Sequence, residues 1–74
     1  MAQRLDATGL KCPLPVLRAR KAIKALDPGQ ELLVLATDPA AVEDFRAFCE
    51  AASHAFLDAA EDGGVFRIAI RKGG

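Results

Sequence analysis

Cys12 has the clearest chemical potential in this chain, because it stands between Lys11 and Pro13 just ahead of a segment with helical periodicity. Proline is favoured at the first helical position, where its missing N–H would have no intrahelical partner. Pro13 therefore predicts that Cys12 is the N-cap of the first helix and is at least partly exposed. The positive end of the helix dipole would then favour a thiolate or persulfide anion on Cys12.

The expected activation of this thiol is modest. The helix dipole and the neighbouring Lys11 predict that the pKa of Cys12 falls somewhat below the ordinary thiol value of about 8.5. Pro13 and Pro15 remove two amide donors from the first turn, so only Leu14 and Cys12 offer N–H groups there. Acyl transfer uses an oxyanion hole of such donors. The segment therefore suits a sulfur anion better than an acyl-transfer intermediate.

Charge is balanced overall and uneven along the chain. Ten basic and ten acidic residues give a net charge of zero, which does not favour a phosphate-dominated contact with nucleic acid. From Ala7 to Leu26 there are five basic residues and no acid, whereas from Glu43 to Asp62 there are six acids and one arginine. We expect a basic side near Cys12, which is either an ordinary solvated helix face or a surface that steers an acidic partner protein. The residues predicted to stabilise the anion or dock a partner protein are Lys11, Arg18 and Lys21, and those that shape the segment are Pro13, Leu14 and Pro15.

Length and composition limit the class of protein. The 74 residues predict one domain, 1–74, with a small core. No apolar run approaches the roughly 20 residues of a membrane span, and the segment Met1–Leu5 lacks the apolar stretch of a signal peptide. We therefore expect a cytoplasmic protein without a direct membrane contact. Two cysteines in that compartment are not expected to form a bridge, and no Cys/His spacing indicates a zinc site, so we expect no metal and no cofactor.

The first half of the chain alternates strand and helix patterns. A short strand is predicted over Arg4–Ala7, a helix over residues 13–26 and a buried strand over Glu31–Ala36. The apolar positions of this first helix recur at spacings of three and four: Val16, Ala19, Ile23 and Leu26. Asp38 and Pro39 repeat the helix-start pattern, with Asp38 as the predicted N-cap of a second helix.

The second helix places the other cysteine in the core. Its apolar positions at helical spacing are Val42, Phe45, Phe48, Cys49 and Ala52, so Cys49 is interpreted as structural. His54, the only histidine, follows this helix. It could serve as a proton shuttle or metal ligand, but a histidine there also interacts favourably with the helix dipole, and we favour that interpretation.

Two strands and a tight turn complete the pattern. Asp62-Gly63-Gly64 separates a strand over residues 56–61 from one over Val65–Arg71, in which apolar and polar residues alternate. The order βαβαββ predicts an α/β (α+β) two-layer sandwich, with two helices packed on one face of a four-stranded mixed sheet.

With Cys12-Pro13-Leu14-Pro15 at the start of the first helix, the chain resembles the TusA/SirA-type sulfur-carrier family. The motifs behind the resemblance span nearly the whole sequence: residues 5–15, Pro28-Gly29, Thr37-Asp38-Pro39, Phe48-Cys49 with His54, and residues 70–74. The second helix departs from the family pattern near Phe45-Arg46, where members often carry an Ile-Pro pair. That departure bears on the choice of partner more than on the chemistry.

The resemblance implies a carrier rather than a self-contained enzyme. Cys12 would take sulfane sulfur from a cysteine desulfurase or other sulfurtransferase, hold it as a persulfide and pass it to a downstream acceptor protein. The end point in the family is thiolation of a wobble uridine in tRNA, sulfur oxidation or molybdenum-cofactor supply. Persulfide transfer by an accessible thiolate fits what the residues around Cys12 indicate.

Three other functions stay open at this point. A C-terminal Gly73-Gly74 could be activated as a thiocarboxylate, as in ubiquitin-like sulfur carriers. The basic first helix could dock on nucleic acid or protein in a regulatory module, although no aromatic residue is interleaved with its cations for base stacking. Cys12 and Cys49 could also form a redox pair, against which stand the core position of Cys49 and the lack of a Cys-x-x-Cys motif.

Overall fold

The computed structural model describes residues 3–73 and contains the predicted βαβαββ order. The elements are β1 (Gln3–Ala7), α1 (Leu14–Lys24), β2 (Glu31–Ala36), α2 (Ala41–Ala52), β3 (Ala55–Asp62) and β4 (Val65–Arg71). No helix in this part of the chain is long and apolar enough to cross a membrane.

The four strands form one mixed sheet in the order β1-β2-β4-β3. β1 and β2 are parallel and pair from Gln3 with Leu32 to Ala7 with Ala36, whereas β4 runs antiparallel to both of its neighbours. Because β1 and β2 are parallel neighbours, the loops that follow them leave the sheet at the same edge. This arrangement brings the segment around Cys12 close to the segment around Asp38.

A two-residue turn joins β3 to β4. Gly63 and Gly64 have φ of 59° and 86°, which is the pattern of a type I′ hairpin turn. The glycine turn predicted from the sequence is therefore confirmed. Glycine is favoured at both positions because residues with a Cβ adopt two successive positive φ values only at an energetic cost.

The core lies between one face of the sheet and the two helices. It consists of apolar side chains from the strands, from the inward stripes of α1 and α2 and from the turn after α1: Ala7, Ala19, Ile23, Leu26, Leu32, Val34, Ala36, Ala41, Phe45, Cys49, Ile68 and Ile70. In β4 the buried residues alternate with more exposed ones, as the sequence pattern predicts. β2, predicted as a buried strand, shows the same alternation between buried and half-buried residues after the exposed Glu31. The predicted two-layer sandwich is therefore confirmed.

The start of α1 corrects the prediction that Cys12 is its N-cap. The helix begins at Leu14 and Pro13 is the N-cap, so Pro15 rather than Pro13 occupies the first turn. The first helical hydrogen bond runs from the Leu17 N–H to the Pro13 carbonyl, at 3.1 Å. Cys12 therefore lies in a turn, one residue before the N-cap of the helix.

The ends of the helices differ from prediction in two further places. α2 begins at Ala41 with Ala40 as its N-cap, so the prediction that Asp38 caps this helix is wrong. Asp38 instead caps the turn ahead of the helix, because its side chain accepts a hydrogen bond from the Ala40 N–H at 3.0 Å. α1 ends at Lys24 rather than at Leu26, since the last residues form i→i+3 hydrogen bonds that tighten the final turn.

Candidate functional site

Cys12 lies in an exposed turn between β1 and α1. The Leu14 N–H donates to the Lys11 carbonyl at 2.8 Å, which closes this turn around Cys12 and Pro13. The side chain of Cys12 is exposed, whereas that of Cys49 is 2% exposed. Of the two thiols, the fold therefore presents only Cys12 to a partner molecule.

Two hydrogen bonds hold the segment around Cys12 against the loop between β2 and α2. The Gly9 N–H donates to the Thr37 hydroxyl at 2.9 Å, and the Cys12 N–H donates to the Asp38 carboxylate. Gly9 has φ of 80°, a left-handed conformation that favours glycine. The thiol is thus carried by a loop that both parallel strands help to position.

The Asp38 carboxylate accepts a hydrogen bond from each of the two loops. One oxygen accepts the Ala40 N–H and the other accepts the Cys12 N–H. These two hydrogen bonds, with a smaller contribution from the positive charge of Lys11, lower the pKa of Asp38 below its usual value. Asp38 is therefore ionised at neutral pH and adds a negative charge beside Cys12.

The electrostatic environment of the thiol corrects the prediction of a lowered pKa. The pKa of Cys12 is raised, first by the hydrogen bond to Asp44 and then by partial loss of solvent and by the charges of Asp44 and Asp38. The negative charges of the two carboxylates disfavour the thiolate form of Cys12. In addition, Cys12 lies outside the first turn of α1, where the helix dipole acts most strongly. In the unbound protein Cys12 is therefore held mainly as a thiol.

Cys12 lies between two open cavities. One has a volume of about 330 Å³ and is lined by Gly9, Leu10, Lys11, Cys12, Thr37, Asp38 and Pro39. The other has a volume of about 340 Å³, runs between the two helices and is lined by Cys12, Pro13, Val16, Arg20, Asp44, Ala47 and Phe48. A partner can therefore reach the sulfur from the loop side or from the helix side.

The predicted supporting residues are distributed unequally around these cavities. Lys11 lines the first, whereas Arg18 and Lys21 are exposed on α1 and line neither. Leu14 is exposed as well, with 45% of its surface accessible, and adds apolar surface near the thiol. Pro15 is buried and fixes the first turn against the core.

Arg20 and Asp44 are the functional candidates that sequence reasoning missed. Both line the helix-side cavity with Cys12. Arg20 follows Val16 by four residues, and Asp44 precedes Phe48 by four, so each lies on the same helix face as a cavity-lining apolar residue. From that spacing the sequence could have placed Arg20 on the same face of α1 as Val16, and Asp44 on the same face of α2 as Phe48. It could not have shown that these two faces meet beside Cys12.

No two-donor oxyanion hole forms from the two amides of this turn. The N–H groups of Leu14 and Cys12 both donate within the protein, to Lys11 and Asp38. The site therefore offers a nucleophilic sulfur and nearby charges rather than backbone donors for a tetrahedral intermediate. Within residues 3–73 no group of three or more His, Cys, Asp or Glu side chains could hold a metal ion.

The remaining residues discussed from sequence lie away from Cys12 or inside the fold. The prediction that Cys49 is a core residue is confirmed, and burial raises the pKa of its thiol. His54 accepts a hydrogen bond from the Gly73 N–H through Nδ1 at 3.0 Å, and its ring packs against Phe48 with centroids 5.4 Å apart. Gly73 is therefore tied to the end of α2, and Gly74, like Met1 and Ala2, lies outside the described residues.

Comparisons with known proteins agree on one family. A family model described as Sulfurtransferase TusA matches residues 3–72. The chain is 49% identical over 70 residues to a protein named sulfur carrier protein TusA from Allochromatium vinosum, covering 95% of this chain and 92% of that one. It is 51% identical over 70 residues to a Neisseria meningitidis protein whose name proposes that it is a sulfur carrier, with 95% of each chain covered.

A solved structure agrees with the sequence relatives. The crystal structure of a SirA-like protein from Desulfitobacterium hafniense superimposes with a TM-score of 0.77 at 28% identity. The match covers 100% of both chains. The two-helix, four-stranded architecture described above is thus shared over the full length of that protein.

Proposed function

We propose, from the premise that this chain belongs to the Sulfurtransferase TusA family, that it is a sulfur carrier and that Cys12 holds the transferred sulfur as a persulfide. The observation that carries the proposal is the contrast between the two thiols. Cys12 is exposed on a loop that Asp38 and Thr37 hold in place, whereas Cys49 is buried in the core. A carrier needs an accessible sulfur on a firmly positioned segment, and Cys12 meets both requirements.

The transfer step requires no cofactor. The thiolate of Cys12 attacks the outer sulfur of a donor persulfide, a new S–S bond forms on Cys12, and the S–S bond of the donor breaks. The donor sulfur leaves with the electron pair as a thiolate, and the proton of the Cys12 thiol passes to solvent. Discharge repeats the exchange with an acceptor thiolate as the nucleophile and Cys12 as the leaving sulfur.

Two protein partners follow from this role. The donor is a cysteine desulfurase or another sulfurtransferase, and the acceptor is a downstream sulfur-trafficking protein that feeds tRNA thiolation or another sulfur route in the cytoplasm. Lys11 beside Cys12 and the exposed cations Arg18 and Lys21 on α1 are the residues assigned to donor docking. Leu14, exposed next to the thiol, supplies apolar contact area on the same surface.

The binding of sulfur to Cys12 is tested by intact-mass spectrometry after incubation with a cysteine desulfurase and cysteine. The wild-type protein should gain one sulfur atom that a thiol reductant removes. C49A should gain the same mass, and C12S should gain none while keeping its far-UV circular dichroism spectrum. Equal loading of C12S and wild type would overturn the assignment of Cys12.

A further inference from the structure

Asp44 lines the same cavity as Cys12 and has no role in the transfer step described above. It is half-buried in the first turn of α2, and its carboxylate raises the pKa of the Cys12 thiol, first through hydrogen bonding and then through its charge. Both side chains line the helix-side cavity. Glu43, the preceding acid in the same turn, is exposed and lines neither cavity beside Cys12.

Charged groups face Cys12 from each segment around it. Asp44 approaches from α2 and Asp38 from the loop after β2, whereas the cations are Lys11 in the same turn and Arg20 on the cavity wall of α1. The pKa of Cys12 is nevertheless raised, by hydrogen bonding to Asp44, by partial loss of solvent and by the charges of Asp44 and Asp38. An ordinary thiol of pKa about 8.5 is already mostly protonated at neutral pH, and these carboxylates reduce the thiolate fraction further.

We propose that Asp44 is a positioning residue that keeps the proton on Cys12 while the carrier is alone. We also propose that a lysine or arginine of a sulfur-transfer partner enters the helix-side cavity, pairs with Asp44 and thereby releases the thiolate. This inference rests on the proposed sulfur-carrier function. Release of the thiolate by the partner makes sulfur exchange fast in the complex, and retention of the proton makes it slow in the free carrier.

The cavity suits such a side chain in size and chemistry. Its volume of about 340 Å³ is at the lower end of the roughly 300–1,000 Å³ range of ligand pockets, which leaves room for one long side chain. Val16, Ala47 and Phe48 form an apolar part of the wall, against which the aliphatic stem of a lysine or arginine can pack. The charged head would then meet Asp44 beside the sulfur.

The same pairing assists loading and discharge. In loading, the released thiolate attacks the outer sulfur of the donor persulfide, and the donor sulfur departs as a thiolate. In discharge, Cys12 is the departing sulfur, and a thiol with a lower pKa leaves faster. Neither step consumes an oxidant or reductant. Without a partner, the protonated thiol resists alkylation and oxidation, which both require thiolate character.

The test compares D44N with the matched control E43Q, which removes a charge from the same helical turn away from the sulfur. Alkylation of Cys12 by iodoacetamide, followed on its peptide by mass spectrometry, should shift to lower pH in D44N. Its rate at neutral pH should rise roughly two- to fivefold, the effect of one exposed charge pair. E43Q should match the wild type. An unchanged alkylation profile in D44N would overturn the proton-holding role.

A second readout tests the partner cation. Persulfide loading is measured from inorganic polysulfide and, separately, from a cysteine desulfurase with cysteine. In D44N the polysulfide rate should rise and the ratio of desulfurase-driven to polysulfide-driven loading should fall at least twofold. An equal rise with both donors would refute the cation pairing. If the wild type accepts sulfur from neither donor while the alkylation profile still shifts, the sulfur-carrier function fails and the proton-holding role stands.

Discussion

Replacement of Phe45 by alanine tests the packing that supports the site. Phe45 is 0% exposed on α2, next to Asp44 in the chain, and its ring lies edge-on to Phe48 with centroids 6.4 Å apart. Truncation of a buried phenylalanine to alanine costs about 3–5 kcal/mol, because transfer energy is lost and a cavity remains. A 74-residue domain has a total stability of about 4–11 kcal/mol at ~0.05–0.15 kcal/mol per residue. F45A should therefore lose a large part of its stability.

The assay is urea unfolding followed by far-UV circular dichroism, because the chain contains no Trp or Tyr for a fluorescence signal. With a slope of about 1 kcal/mol per molar urea for a small protein, the midpoint of F45A should fall by about 3–5 M. F66A is the control, since Phe66 is half-buried and its truncation should cost roughly 1–2 kcal/mol. A midpoint for F45A within about 0.5 M of the wild type would refute the packing described for α2.

Three other predictions follow from the described contacts. Because burial raises the pKa of Cys49 in the folded state, stability should fall as pH rises above the ordinary thiol pKa of about 8.5. The urea midpoints of C49A should show a smaller fall than those of the wild type, and what remains comes from Cys12, whose pKa is also raised. A Cβ at Gly73 would clash with the carbonyl oxygen of Ser53, so G73A should be destabilised by about 1–3 kcal/mol in thermal unfolding, and an unchanged melting temperature would contradict that contact. Charge reversal in R18E/K21E should slow loading from a cysteine desulfurase, most clearly at low salt, with little change in urea midpoint, and an unchanged rate would remove these residues from donor docking.

The fold could be predicted because its elements are marked by local patterns. Alternation in β4, the spacing of Ala19 and Ile23 in α1, and the glycine pair before Val65 each specify one element without tertiary information. Once the order βαβαββ is known, few arrangements bury all the apolar faces at once. The family resemblance then agreed with a fold that the periodicities had already indicated.

The electrostatics of the site could not be predicted in the same way. The sequence places Cys12 next to Pro13, but the first helical hydrogen bond depends on backbone angles that leave Cys12 outside the helix. Asp44 belongs to another helix, and its approach to the sulfur depends on how α1 and α2 pack. Local reasoning therefore gave the wrong direction for the pKa of Cys12.

The assignment of the transferred sulfur to Cys12 is tested most directly by capping the persulfide and locating the capped sulfur in the sequence. The protein is loaded by a cysteine desulfurase with cysteine, the persulfide is capped with a neutral alkylating reagent, and the peptides are mapped by mass spectrometry. The account predicts the capped extra sulfur on the peptide that contains Cys12. Extra sulfur on the Cys49 peptide, or a thiocarboxylate on the peptide that ends in Gly73-Gly74, would contradict it.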